Sequence, residues 1–406
     1  MTSYLNELGI VCALGDNKKT VLTNFLAGSN QCMTSNNEFG VDTFIGKINV
    51  TLPELSSNDY LFNTRNNQIA LLAFKQIEAQ LSILKKIIEK KKIKDNENDG
   101  TVNIAVVIGT STSGIASGEE SMAHYLATGS HEKDYHYTKQ EMGSCAHFIA
   151  QLVGANASVY SISTACTSSA KAMISGQRLL KSGIADIVIA GGVDSLCKMT
   201  INGFHAIASL DHNHSLPFQK TRAGINIGEG AGLFLMSRIK SDIALSGFGE
   251  SSDAHHISAP HPEGKGAKVA MEAALQNAKL NADEINYINL HGTGTVQNDA
   301  MEAKAVNDLF SRDTPCSTSK HIHGHCLGAA GAIEAGLCWL LLSSINKNNS
   351  YPSMYIESEI DDTIDRINLT VKNEVSNIIS VNDLQHCMSN SYAFGGNNAS
   401  LILSKT

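Results

Sequence analysis

Segments patterned for strand alternate with segments patterned for helix along the whole chain. No other feature constrains the fold as much. Strand-like runs fall at 102–108, 157–161, 184–190, 232–236, 285–290 and 399–403. Helix-periodic runs fall at 67–89, 168–181, 266–278, 300–308 and 328–342. Several of the strand runs are apolar on both faces, as in a sheet covered by helices on each side. Alternation of this kind predicts an α/β architecture with buried sheets. The run at 85–100, KKIIEKKKIKDNENDG, is too charged for a core and reads as a frayed helix end and a solvated loop.

The chain of 406 residues is long enough for two to three domains. It is 42% hydrophobic and 17% charged, which suits a globular protein. A net charge of −8 argues against nucleic-acid binding, which needs a basic surface. Nine cysteines are scattered without CxxC pairs, which points to a reducing, cytoplasmic compartment rather than a disulfide scaffold or zinc ribbon. No signal peptide is expected from MTSYLNELGIVCALG, and no apolar run is long enough for stable membrane insertion.

Cys166 sits where a strand-like run gives way to a helical pattern with Ala170, Met173, Ile174 and Leu180 on one face. Gly183 is the expected stop. Unpaired N–H groups at a helix start favour a thiolate, so Cys166 is a candidate nucleophile; a buried structural cysteine is the competing reading. His291 ends the run 285–290 and opens His291-Gly292-Thr293-Gly294-Thr295, where glycines allow close approach and threonine hydroxyls can bind a polar arm. His325 precedes an almost wholly apolar helix, whose dipole disfavours imidazolium. His321, His323 and His325 alternate and would share one side of an extended segment, which raises a metal reading; so does the looser set His255, His256 and His261. Neither set has the partner spacing of known metal frameworks. One cysteine and two histidines suit a Cys–His hydrolase or a Claisen condensation. Two imidazole donors fit enolate stabilisation better. The stretches SISTACTSSAKAMISG and CSTSKHIHGHCLGAAGAIEAG share a strand–turn–helix shape, a hint of internal duplication.

Together these segments resemble the elongating β-ketoacyl-acyl carrier protein synthases of the thiolase superfamily. The resemblance runs through Gly9–Gly15, Thr164-Ala165-Cys166, HGTGT at 291–295, Lys320 with His325, and Phe394-Gly395-Gly396-Asn397-Asn398. It implies a five-layered αβαβα fold of two related halves, here 1–240 carrying the cysteine and 241–406 carrying both histidines. Cys166 would accept the acyl group, and His291 and His325 would promote decarboxylation and condensation. Cys166 and Phe394 N–H groups would form an oxyanion hole. Lys320 and Glu302 would form a family Lys–Glu pair. Thr293 and Thr295 would contact phosphopantetheine, and Phe394, Gly395 and Gly396 would border the acyl pocket. No cofactor is implied, because substrates arrive on the phosphopantetheine of an acyl carrier protein. The partners implied are that carrier and a second subunit, identical or chain-length-factor-like. Arg65, Lys171, Arg178, Lys198 and Lys265 are candidates for the carrier dock.

The chain also departs from the family. Ala223 and Ile225 stand where Asp and Phe are usual, and that Phe helps form the malonyl pocket. Val296, His323 and Asn397 replace a common Pro, Thr and Thr. The segments 64–68, 109–115 and 393–400 look like ketosynthases of bacterial aryl-polyene pathways. Two other readings stay open: a coenzyme A-dependent thiolase using Cys387 as second cysteine, and a non-catalytic chain-length factor.

Overall fold

A computed structural model describes residues 2–95, 100–371 and 384–406. Ten strands carry the architecture: β1 Ser3–Cys12, β2 Ile104–Gly109, β3 Val159–Ile162, β4 Ile187–Asp194 and β5 Gly230–Ser237; then β6 Ile243–Ser252, β7 Tyr287–Asn289, β8 Pro315–Ser317, β9 His386–Tyr392 and β10 Asn397–Lys405. The spatial order is β3-β2-β4-β5-β1 followed in mirror sense by β6-β10-β9-β7-β8, with Asn368–Leu369 added beyond β8. Each strand of the first set therefore has a counterpart five strands later. Directions repeat too: β2 runs parallel to β3 and β4, and β7 to β8 and β9. β5 and β10 are antiparallel to their neighbours in each set. The two sets join where Ser3 and Tyr4 pair with Leu245 and Ala244.

Six helices complete the layers: α1 Arg65–Lys75, α2 Ser144–Val153, α3 Ser168–Lys181, α4 Lys265–Ala278, α5 Val296–Leu309 and α6 Ala330–Leu342. Period-2 alternation explains the layering. In β2, Ile104, Val106 and Ile108 face α1 and α2 in one core with Ile69, Ala73, Phe148 and Ile149. Ala105 and Val107 face the opposite way, into a second core with α3 and α6. That central core also takes Tyr287, Cys387 and Leu401 from the second sheet. The far face of the second sheet, through Ile288, Met388 and Ile402, packs on α4 and α5. Helix, sheet, paired helices, sheet and helix thus give five layers, and α3 and α6 form the middle one.

The expected helices at 168–181, 266–278, 300–308 and 328–342 correspond to α3, α4, α5 and α6. The run 67–89 does not form one helix. It splits into α1 and Glu78–Lys94, and the break is pinned by Gln76. That side chain donates to Ile10 O at 2.9 Å and Asp16 O at 3.0 Å, fixing the break against β1. The charged run at 85–100 stays helical to Lys94, and 96–99 lie outside the described residues. Strands β1, β6 and β9 were not anticipated. In β6, Gly247 and Gly249 dilute the apolar pattern because α4 lies directly on them: a Cβ would come 2.4 Å from Ala274 O and 1.9 Å from Ala270 O. β9 is rich in Ser and Asn yet buried. Among the described residues, no helix is long and apolar enough to cross a membrane.

Candidate active site

The two related strand–turn–helix units, β3–α3 and β8–α6, meet at the centre of the molecule. In the first, the chain turns sharply after β3. Ala165 takes φ +52°, a left-handed conformation costly for a residue with a Cβ. Ser168 holds this turn: its Oγ accepts from Thr164 N at 2.9 Å and donates to Ala165 O at 2.5 Å. Cys166 projects from the turn just ahead of α3, as the sequence implies. In the second unit, His325 is fixed through its backbone: its N–H donates to Asn226 O at 2.7 Å, and its carbonyl accepts from Gly228 N at 3.0 Å. His325 Nε2 lies 3.0 Å from Cys166 Sγ.

His291 follows β7 across the same space. Its ring stands edge-on to that of His325, with centroids 5.5 Å apart. The thiol and the two imidazoles offer donor atoms within 4.8 Å of one another. Such a soft set could gather around a zinc ion. However, Lys320 Nζ lies 3.2 Å from His291 Nδ1, placing a cation against one ligand. Lys320 also donates to His291 O at 2.6 Å.

The carboxylate paired with Lys320 is Glu334 on α6, which corrects the expected Lys320–Glu302 pair. Glu302 instead reaches back along α5 to the HGTGT turn, accepting from His291 N and Gly292 N at 2.7 Å each. Those bonds satisfy the turn's donors and fix where His291 begins. Glu334 carried a signal that was overlooked: it is the lone charge in the apolar run AGAIEAGLCWLLL. A charge there requires a buried partner.

Burial sets the protonation states. It pushes the Cys166 thiol up to about 12, against the lowering influence of Lys320. The thiolate expected from the helix start is therefore not the resting form. His291 and His325 are held well below the usual imidazole range, first by burial and then by the Lys320 charge. Burial raises Glu334 to about 7, with Lys320 opposing, and Glu302 to about 8. The two N–H donors on Glu302 nevertheless favour its carboxylate form. At rest the site holds a neutral thiol beside a neutral imidazole that can take its proton.

A cavity of about 190 Å³ opens over these groups. Cys166, His291, His325, Thr293, Thr295, Ile225 and Phe394 all line it. Thr293 and Thr295 hydroxyls lie 3.0 Å apart. Gly395 and Gly396 form the turn beside Phe394, at φ +84° and +77°, rather than the wall itself. Gly395 N donates to Ile257 O at 2.7 Å, while among the described residues no hydrogen bond engages Phe394 N–H. Phe204, Ile207 and Tyr392 also line the cavity and were not anticipated. Ile225 is buried with Leu196, Ile201 and Leu210. Beside it, Arg222 finds its carboxylate at Asp361, 2.5 Å away.

The histidine triplet does not form one face. Lys320–His323 is a helical turn, so the rings diverge. His321 Nε2 accepts from Tyr355 N at 3.1 Å and His323 Nε2 meets Ser319 Oγ at 2.9 Å. The His255 and His261 rings lie 5.0 Å apart in a loop, tilted by 49°. Cys387 is buried in β9, outside the cavity. Of the basic candidates, Arg65 and Arg178 are committed to Glu229 and Glu250, and Lys171 to Asn397. Lys198 and Lys265 are exposed.

Residues 8–241 match the β-ketoacyl synthase N-terminal domain, and residues 243–346 the C-terminal domain. The chain belongs to the β-ketoacyl synthase family, and its fold is the thiolase-like one. It is 36% identical over 264 residues to a 3-oxoacyl-[acyl-carrier-protein] synthase 2 of Rhizobium meliloti, and 33% identical over 259 residues to that of Staphylococcus aureus. Each match covers 60% of this chain and 60% of the relative. Among solved structures, it is similar to a ketosynthase, ApeO, in complex with its chain length factor, ApeC, from Xenorhabdus doucetiae. That match has 40% identity and a TM-score of 0.89, and covers 100% of this chain and 98% of the other.

Proposed function

We propose that the chain catalyses decarboxylative Claisen condensation, extending an acyl thioester by the two-carbon unit of malonyl-acyl carrier protein. The observation that carries this reading is the Cys166 Sγ–His325 Nε2 distance of 3.0 Å on a cavity floor shared with His291. In the first step Cys166 attacks the acyl thioester. Its proton passes to His325, and the carrier thiol leaves with that proton. In the second, malonyl thioester loses carbon dioxide. His291 and His325 donate to the enolate oxygen. The enolate carbon attacks the acyl-Cys166 carbonyl, whose oxygen is stabilised by the N–H groups of Cys166 and Phe394. Collapse releases the β-ketoacyl carrier thioester and the Cys166 sulfur, which regains a proton. No cofactor enters these steps. Thr293 and Thr295 are assigned to the phosphopantetheine arm.

The likeness, over 100% of this chain, to a ketosynthase in complex with its chain length factor supports a paired subunit of that kind. The segments 64–68, 109–115 and 393–400, which resemble those of aryl-polyene ketosynthases, favour polyene-type acyl substrates over ordinary saturated ones. The scattered free cysteines fit a cytoplasmic setting. Retention of Cys166 beside both histidines favours catalysis over a purely structural subunit, and burial of Cys387 in β9 disfavours the thiolase reading.

Intact-protein mass spectrometry tests the proposal. The protein is incubated, alone and with a co-expressed partner, with a panel of saturated and polyunsaturated acyl carrier thioesters and with the matching coenzyme A thioesters. A mass gain equal to the acyl group, absent in Cys166→Ala, is the expected result. Acylation by coenzyme A thioesters alone, or none on Cys166, overturns it.

A further inference from the structure

The helix Lys198–Ala206 carries Phe204 into the cavity wall, and Ile207 follows at its end. The Phe204 ring lies 5.7 Å from that of Phe394, tilted by 49°. Yet the start of the helix has no cap of its own. Ile201 is its one buried side chain, and its N-cap, Cys197, makes no side-chain capping bond. Unsatisfied N–H groups at a helix start need an acceptor. Here the acceptor comes from a distant helix, Ile115–Thr128: Glu119 Oε2 takes the Lys198 N–H at 2.9 Å and Oε1 takes the Met199 N–H at 2.7 Å. A carboxylate at that end also suits the helix dipole. Asn202 Nδ2 also donates to Phe39 O at 2.9 Å, the His205 ring meets that of His212 edge-on at 5.3 Å, and Phe204 packs against the cluster around Ile201.

We propose that Glu119 is a positioning residue that sets the width of the cavity beside Phe394, by capping the helix that bears Phe204, and so tunes which acyl chains are accepted. The inference rests on the acyl-transfer reading of the cavity. Without the cap, the helix start frays and Phe204 no longer holds a fixed distance from Phe394. Bulky or rigid acyl chains, which need a shaped wall, feel the change most.

The test compares Glu119→Ala, Glu119→Asp and Glu120→Ala, the last an exposed neighbour as control. Steady-state kinetics are measured with a short saturated and a long polyunsaturated acyl carrier thioester. Hydrogen exchange is followed over residues 197–207. For Glu119→Ala, KM for the long chain is expected to rise about fivefold, the factor that goes with loss of a helix cap. The kcat should change little, exchange at 198 and 199 should quicken, and Glu119→Asp should recover part of the loss. Equal effects on both chains, or unchanged KM despite faster exchange, overturn the proposal. If the wild-type protein takes no acyl group on Cys166, the functional reading fails instead, and the exchange data still report on the cap.

Discussion

Lys320 is the charge on which the site's protonation balance turns, and its removal gives a sharp test. Lys320→Met keeps the length of the side chain and deletes the ammonium. Nζ lies 3.2 Å from His291 Nδ1, so an imidazolium there would be opposed by about 5 kcal/mol at an effective dielectric of about 20. Glu334 sits on the same ammonium and offsets a large part of this. A net effect of roughly 1.5–3 kcal/mol corresponds to a shift of about 1–2 pH units. In the variant Glu334 loses its cation. Burial, which already raises it to about 7, then keeps it neutral, so it adds no new charge. His291 should therefore protonate at higher pH than in the wild type, although burial still holds it low. Malonyl decarboxylation followed against pH should show its acid limb moved upward by about 1–2 units. His291 Cε1 shifts read by NMR should agree. An acid limb that stays in place, or moves downward, would refute the claim that Lys320 holds His291 neutral.

Three further expectations follow from the same geometry. Glu302→Gln puts an amide N–H₂ against one of two backbone donors, and leaving a buried donor unpaired should cost about 1–3 kcal/mol in urea unfolding; an unchanged midpoint would count against its role in shaping the HGTGT turn. His291, His321, His323 and His325 have folded-state values below the unfolded one, to about 4 for His321 and about 3 for His323. The unfolded chain thus binds protons that the folded chain refuses, and stability should fall as pH drops below about 6.5, by about 1.4 kcal/mol per pH unit for each histidine; urea midpoints that stay flat from pH 7 to 5 would contradict this. Ile225→Phe adds volume to a packed cluster, so it should destabilise by about 1–3 kcal/mol and raise malonyl decarboxylation relative to condensation, measured as carbon dioxide release against chain elongation.

Much of this site was legible in the sequence because its reactive side chains stand where patterned segments end in turns. Cys166, His291 and His325 stand at ends of patterned segments, and they converge as that placement implies. The two-part layout was visible in the echo between the segments around Cys166 and Lys320. The partner of Lys320 was misassigned because sequence spacing does not tell which of two acids on neighbouring helices faces an ammonium. Glu302 points to backbone N–H groups, and only the crossing of α6 brings Glu334 to the lysine. Gly247 and Gly249 hid β6, since glycines chosen for helix approach erase the alternation that marks a strand. Ser389, Asn390 and Ser391 hid β9 in the same way, as polar residues inside a buried strand. The thiolate expectation failed for a related reason: a helix start favours the anion, but desolvation by burial outweighs it.

The central pair α3 and α6 has a consequence for how the protein can vary. One sheet unit supplies the thiol and the other supplies the imidazoles and the ammonium, so neither holds a complete reaction centre. The gap between thiol and imidazole is gauged by how closely the two helices cross. At that crossing Gly331 leaves room for Ala170; a Cβ there would stand 2.9 Å from Ala170 Cβ and 3.0 Å from Ser391 Oγ. A single methyl group at this seam would wedge the units apart and lengthen the proton path, without touching substrate. Outer helices and surface loops can drift freely around such a joint, whereas the seam itself works as the caliper of the reaction.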